Sequence, residues 1–149
     1  MKNTMKNTIV KIWTTTAGLP AMIILTPMGS HCGYVGVPPE HPAHGMDYDQ
    51  PLLEDIEVHG GLTYASKPPL QEGSDYWALG YDCAHLGDLV PSISTALNVY
   101  RMFDEGIEGT NGDVWRDEAY CTGQCESLAE QLRALGQPAL ALPAPNWVE

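Results

Sequence analysis

Four of the five histidines lie in one stretch of the chain together with many of its carboxylates. Residues 38–88 hold ten of the 19 acidic residues and a single basic residue, Lys67. The histidines of this stretch are His41, His44, His59 and His85. Imidazole and carboxylate groups bind zinc, manganese and iron in proteins, and they also transfer protons near neutral pH. The stretch therefore indicates metal-assisted or acid–base chemistry.

The segment Gly-Tyr-Asp-Cys-Ala-His-Leu-Gly-Asp spaces Asp82, His85 and Asp88 at three-residue intervals, where a predicted strand ends. If the chain turns helically there, the three side chains share one face and can hold a divalent cation such as Zn²⁺, Mn²⁺ or Mg²⁺. A carboxylate could also hold His85 in one tautomer. We predict Asp82, His85 and Asp88 as metal ligands, with Asp82 and His85 also catalytic. The alternative is that these residues form no site: Asp82 caps the turn that follows the strand, and His85 only stabilises the fold.

A second candidate is the segment His-Gly-Gly-Leu-Thr-Tyr that begins at His59. Two glycines beside a histidine let backbone N–H groups approach a ligand or an anion. We predict His59 as a catalytic residue, and the predicted ligand-binding residues are Gly60, Gly61, Thr63 and Tyr64. The alternative is that the glycines mark a bulge in a strand. His41 and His44 lie in a proline-rich segment, which predicts exposure at the surface or a lid over the site.

The net charge of −12 excludes the nucleic-acid backbone as an expected partner, because phosphate neutralisation needs clustered Lys and Arg. Between Ile12 and Tyr100 the only basic residue is Lys67. A bound phosphate would therefore need a metal, backbone N–H groups, or the side chain of Arg101 or Arg116 folded back into the site. The expected partner is a small molecule or a host protein.

No stretch is long and apolar enough to span a membrane, which favours a cytoplasmic protein. The four cysteines are too few and too irregularly spaced for a disulfide framework and are expected to be reduced and buried.

The elements that must position these residues follow from periodicity and turn chemistry. The pattern predicts a hairpin from residues 9–13 and 21–26, a third strand at 32–37, a loop at 38–53, and two paired strands at 55–65 and 76–82. It also predicts a short helix within 91–112 and a long amphipathic helix at 113–135 with Asp113 as N-cap. The expected fold is α+β, a mainly antiparallel sheet packed against a C-terminal helix. We expect one domain at residues 9–136, between a flexible tail at 1–8 and an extended tail at 137–149.

Three motifs together resemble a family of small uncharacterised proteins of bacteriophages and prophages. They are MGSHCGYVGVPPEHPAHGMDY, DIEVHGGLTY and WALGYDCAHLGD, and the resemblance extends over roughly residues 9–135. It implies a phage protein that works in the host cytoplasm. Accessory phage proteins of this size commonly counter host defence or remodel nucleotide pools, so two functions are expected, beside the alternative of a small structural or virion-associated protein. One is a metal-assisted or His/Asp acid–base hydrolase of a nucleotide or other small phosphorylated substrate. The other is an acidic protein without enzymatic activity, which blocks a host defence component or sequesters a ligand.

Overall fold

Five β-strands form one antiparallel sheet in the computed structural model of the protein, which describes residues 7–69, 73–84 and 116–136. The strands are β1 (Thr8–Thr14), β2 (Pro20–Leu25), β3 (His31–Val37), β4 (Tyr64–Ser66) and β5 (Trp77–Asp82). They lie in the order β1-β2-β3-β5-β4. A helix, α1 (Glu118–Gly136), packs across β2 and β3. The predicted α+β class, with a mainly antiparallel sheet and a C-terminal helix, is confirmed.

The β1–β2 hairpin turns at Thr15, whose hydroxyl donates to the carbonyl of Leu19 over 2.7 Å. Strand β1 begins at Thr8, inside the segment that the sequence assigned to the flexible tail. An irregularity between Ile9 and Lys11 shifts the register of β1 against β2. Because of this shift, Ile9 and Ile12 pack on one face of the sheet, while the amine of Lys11 reaches Thr122 of α1 on the other face.

Both faces of the sheet are buried. On one face, side chains of β2, β3 and β5 pack against α1, and the fully buried members of this core include Ile23, Val35, Leu79, Cys125, Leu128 and Leu132. The helix contributes Cys121, Cys125, Leu128 and Leu132 at three- and four-residue spacing, as its sequence pattern predicts. The opposite face buries Met22, Ile24, Tyr34 and Ala78. The four cysteines are buried thiols, as expected.

Two glycine–tyrosine pairs join β3 to β5 at the centre of the sheet. Gly33 lies opposite Tyr81, and Tyr34 lies opposite Gly80. A Cβ atom on Gly33 would stand 2.5 Å from the ring of Tyr81, and one on Gly80 would stand 2.5 Å from the ring of Tyr34. Each tyrosine ring therefore lies over the backbone of the neighbouring strand, one on each face. The glycines therefore permit the close approach of an aromatic ring to the backbone of the next strand.

Other predicted elements differ from the structure or lie outside it. The predicted strand at 55–65 is wrong over most of its length, because the extended pairing covers only Tyr64–Ser66. The segment 38–53 is a loop, as predicted, apart from one turn of 3₁₀ helix at Pro51–Leu53. The helix predicted within 91–112 and the C-terminal tail at 137–149 lie outside the described residues.

Candidate functional site

The first turn of α1 carries the residues that meet the His59 segment. Asp117 caps this turn, because its carboxylate accepts a hydrogen bond from the backbone N–H of Tyr120 over 2.8 Å. The carbonyl of Asp117 accepts the N–H of Cys121. The predicted N-cap, Asp113, is wrong, since α1 begins at Glu118. Both positions are aspartates before an amphipathic run, so the pattern alone did not distinguish them.

His59 lies in a tight turn and not in a strand. The N–H of Gly61 donates to the carbonyl of Val58 over 2.8 Å. Gly60 and Gly61 have φ angles of 68° and 84°, which disfavour both an extended strand and residues with a side chain. A Cβ on Gly61 would meet nothing within 4 Å, so this glycine serves the turn and not a close contact. The bulge weighed for these glycines is therefore wrong.

The imidazole of His59 is hydrogen-bonded to a tyrosine of α1. Its Nδ1 lies 2.7 Å from the hydroxyl of Tyr120, and the two rings are perpendicular, with centroids 5.3 Å apart. The backbone N–H of His59 also donates to the side chain of Gln124, one turn further along the helix, over 2.8 Å. Two bonds to successive turns of α1 thus hold the His59 segment against the helix.

Arg116 brings a positive charge to this contact. Its guanidinium carbon lies 4.9 Å from the centroid of the Tyr120 ring, a cation–π distance. The carbonyl of Arg116 accepts a hydrogen bond from Nδ1 of the buried His31, at 2.9 Å. We refer to His59, Tyr120 and Arg116 as the His59 cluster. Arg116 is one of the two arginines that the sequence allowed to fold back into the site, and its guanidinium lies over the ring of Tyr120. Tyr120 itself was missed, because nothing in the helical pattern distinguishes it from a packing residue.

Asp82 caps the chain where it leaves β5. Its two carboxylate oxygens accept hydrogen bonds from the hydroxyl of Thr63, at 3.1 Å, and from the N–H of Ala84, at 3.0 Å. The N–H of Thr63 also donates to the carbonyl of Gly80. This arrangement matches the capping alternative and brings Thr63 to Asp82.

The described part of the structure does not bring the predicted metal ligands together, and it places Tyr64 apart from the His59 cluster. His85 and Asp88 lie outside the described residues, so the predicted metal set is seen only at Asp82. Within residues 7–69, 73–84 and 116–136, no three His, Cys, Asp or Glu side chains are grouped closely enough to hold a metal ion. Tyr64 packs its ring edge-on against Tyr34, at 4.9 Å, in the core of the opposite face. The structure therefore places the ring of Tyr64 on the face of the sheet opposite α1, and its binding of a ligand stays a prediction.

His41 and His44 lie far from the His59 cluster. His41 is 2 % exposed and its Nε2 lies 2.6 Å from the carbonyl of Leu132, so the surface position expected for it is wrong. Leu132 is 12 residues beyond Tyr120 in α1, a separation of about 18 Å along the helix axis. Nε2 of His44 lies 2.8 Å from the carbonyl of Asp75, just before β5 begins. Because Asp82 is at the other end of that strand, the two histidines belong to a separate region.

Two open clefts border these regions. One, of about 340 Å³, is lined by His44, Lys67, Asp75 and Trp77 among others. The other, of about 460 Å³, lies beside Glu126, whose carboxylate accepts hydrogen bonds from the indole of Trp13 and the N–H of Thr16. Burial alone would raise the pKa of Glu126, but these hydrogen bonds lower it below its usual value. Neither cleft contains His59 or Asp82.

The thiol of Cys83 is 1 % exposed and faces the thiol of Cys121, so it does not contact solvent unless the structure around it opens. Burial raises the pKa of Cys125 to about 12 and that of Cys32 to about 11, so both thiols are protonated at neutral pH.

No helix in the described ranges has the length and apolar character that a membrane crossing requires. No protein-family model, no curated protein and no solved structure matches this chain.

Proposed function

We propose that the protein hydrolyses a small phosphorylated substrate, such as a nucleotide, with His59 as the acid–base residue. The observation that supports this function is the His59 cluster, in which the imidazole is 2.7 Å from the Tyr120 hydroxyl and a guanidinium lies 4.9 Å from the same tyrosine ring. An imidazole that transfers protons, a hydroxyl that orients it and a cation that binds phosphate are groups that acid–base hydrolysis of a phosphate ester uses, with water as the nucleophile.

Each member of the cluster has a distinct role in this proposal. His59 gives or takes the proton, since imidazole does both near neutral pH. Tyr120 is a positioning residue, because its hydrogen bond to Nδ1 restricts the orientation of the ring. Arg116 binds the phosphate, for which the planar guanidinium is suited. With a net charge of −12, the protein repels long polyanions, so a small substrate is favoured over a nucleic-acid chain.

The wider setting of the proposal comes from the sequence. A divalent cation at Asp82, completed by His85 and Asp88, would add Lewis-acid assistance to the same reaction. The three motifs that resemble phage and prophage proteins support a role in the host cytoplasm, in the evasion of host defence.

The test is a turnover assay with a panel of mono-, di- and cyclic nucleotides, run with added Zn²⁺, Mn²⁺ or Mg²⁺ and with chelator. We expect His59→Gln to lower kcat by about 10²-fold or more, the usual contribution of a general acid or base. Tyr120→Phe should lower kcat less, and Arg116→Met should chiefly raise KM. The matched control is His44→Gln, which changes a histidine of the separate region and should retain full activity.

Turnover that survives in His59→Gln would contradict the role of His59, and absence of turnover throughout the panel would contradict the enzyme. In each variant, circular dichroism and the melting temperature must show a folded protein. Loss of activity on chelation, restored by one of the three metals, would support the cation at Asp82.

A second candidate function is a non-enzymatic protein that binds a basic surface of a host component. The segment 47–57 favours it, since Tyr48 and Leu52 are 43 % and 37 % exposed and lie among exposed carboxylates. These are Asp47, Asp49, Glu54, Asp55 and Glu57. Binding of this kind should weaken with salt and with replacement of these carboxylates by amides, and it should be unaffected by His59→Gln.

A further inference from the structure

Two buried cysteines from distant parts of the chain face each other at the end of the sheet. The Sγ atoms of Cys83, just after β5, and Cys121, in the first turns of α1, are 3.6 Å apart. They are separated by 38 positions in the sequence, and their relative exposures are 1 % and 0 %. A disulfide bond requires the sulfurs to move about 1.5 Å closer, to a separation near 2.05 Å.

The backbone on both sides is held by contacts that do not involve these sulfurs. The N–H of Cys83 donates to the carbonyl of His31 over 3.1 Å. The carbonyl of Cys121 accepts a hydrogen bond from the buried hydroxyl of Tyr81, two residues before Cys83, over 3.0 Å. The backbone of both cysteines is therefore held independently of the thiols, and closure of the bond requires their side chains to rotate.

The pair lies close to the surface despite its burial. Ala84, next to Cys83, is exposed, and so are Asp117, Glu118 and Ala119 at the start of α1. The first turn of a helix opens more easily than its centre, and such opening gives a small reagent access to the thiols. Cys125, by contrast, lies a full turn deeper in the helix, with its Sγ 3.8 Å from the hydroxyl of Tyr81.

We propose that Cys83 and Cys121 are a redox modification site at which the two thiols form an intramolecular disulfide bond. The oxidant is a low-molecular-weight disulfide such as oxidised glutathione. One cysteine thiolate attacks the oxidant, forms a mixed disulfide and releases one thiol. The second thiolate attacks the protein sulfur of the mixed disulfide and releases the other thiol. The protein loses two thiol protons and two electrons, and the oxidant is reduced to two thiols.

The bond would join the exit of β5 directly to the start of α1. The bond would enclose residues 84–120 in a covalent loop. This loop contains His85 and Asp88, and it ends at Tyr120, next to Cys121. The contact between Tyr120 and His59 would then be held by a covalent link as well as by packing. The proposal concerns the covalent chemistry and does not depend on the proposed hydrolase.

The experiment incubates the folded protein with oxidised glutathione at mildly alkaline pH and then alkylates the remaining thiols in denaturant. The wild type has four thiols before oxidation, and we expect two to be lost, with a mass decrease of two hydrogen atoms. The double variant Cys32→Ala/Cys125→Ala retains only the proposed pair, so its linkage is unambiguous and both thiols should be lost. In Cys83→Ala and Cys121→Ala, no intramolecular bond should form.

Oxidation should raise the melting temperature by roughly 10 °C, reversibly with dithiothreitol, because the bond restricts a long loop of the unfolded chain. Retention of all thiols in the folded wild type would overturn the proposal. So would stable addition of glutathione without ring closure, or a bond that peptide mapping assigns to Cys32 or Cys125. The wild-type map decides the matter even if an alanine variant fails to fold.

Discussion

Two histidines contact α1 near its opposite ends, and they are held in different ways. His41 is buried, its Nε2 faces the carbonyl of Leu132 at 2.6 Å, and its Nδ1 accepts the N–H of Ala43 at 2.9 Å. His59 is only partly buried, and its described ring contact is the side chain of Tyr120. One imidazole thus completes backbone hydrogen bonding in the core, whereas the other is hydrogen-bonded to the side chain of Tyr120.

The difference shows how burial and partner type separate a structural histidine from a candidate functional one. Because Nδ1 of His41 accepts a hydrogen bond from a backbone N–H, its Nε2 must carry the proton that is donated to Leu132. Burial lowers the pKa of His41, and the neighbouring His44 lowers it further, although the bond to Leu132 acts in the opposite direction. His41 is therefore a neutral crosslink between the proline-rich loop and the helix.

The largest expected effect is that of removing this crosslink. His41→Ala should lower the free energy of unfolding by about 2–4 kcal/mol, because it leaves the N–H of Ala43 unsatisfied in the core and creates a cavity. The matched variant His59→Ala should cost less than about 1 kcal/mol, since water can replace a partly exposed hydrogen bond. Urea denaturation of both variants measures the difference, and equal losses would show that the two histidines are not distinguished in this way.

The pH dependence of stability should come in part from His41. Its pKa in the folded protein lies below the ordinary value of 6.5, so the unfolded chain takes up a proton at this residue before the folded protein does. Its contribution to stability is therefore complete above that value and is lost as the pH falls below it. Unfolding free energies measured between about pH 7.5 and 5.5 should fall more steeply in the wild type than in His41→Gln. His44→Gln should reduce the slope less than His41→Gln does, because it removes only the smaller contribution of His44 to the lowered pKa of His41.

The smallest expected effect is at the start of α1, where a local cap holds the first turn. Asp117→Ala removes the carboxylate that accepts the N–H of Tyr120 and should lower the free energy of unfolding by about 1 kcal/mol. Glu130→Ala, at an exposed mid-helix position, is the control and should change it by less than about 0.5 kcal/mol. Denaturant melts would contradict the capping role if the two variants proved equally stable.

Much of the fold was predictable because it depends on local patterns. Alternating and β-branched residues predicted β1, β2, β3 and β5, and the three- and four-residue spacing of cysteines and leucines predicted α1. The strand predicted at 55–65 failed because the apolar and β-branched residues around Gly60 and Gly61 resemble a strand, whereas the positive φ angles of both glycines impose a turn. A local pattern does not reveal which of the two glycine conformations the chain adopts.

The sequence by itself determined the classes of secondary structure, the apolar face of α1 and the position of His59 beside two glycines. Only the tertiary structure decided that His59 meets Tyr120, 61 positions away, and that His41 meets Leu132, 91 positions away. The physical reason is that periodicity specifies which face of a helix is buried, whereas the contacts of individual side chains depend on how that helix is placed across the sheet. Two histidines in similar polar segments were therefore assigned different environments by the packing of one helix.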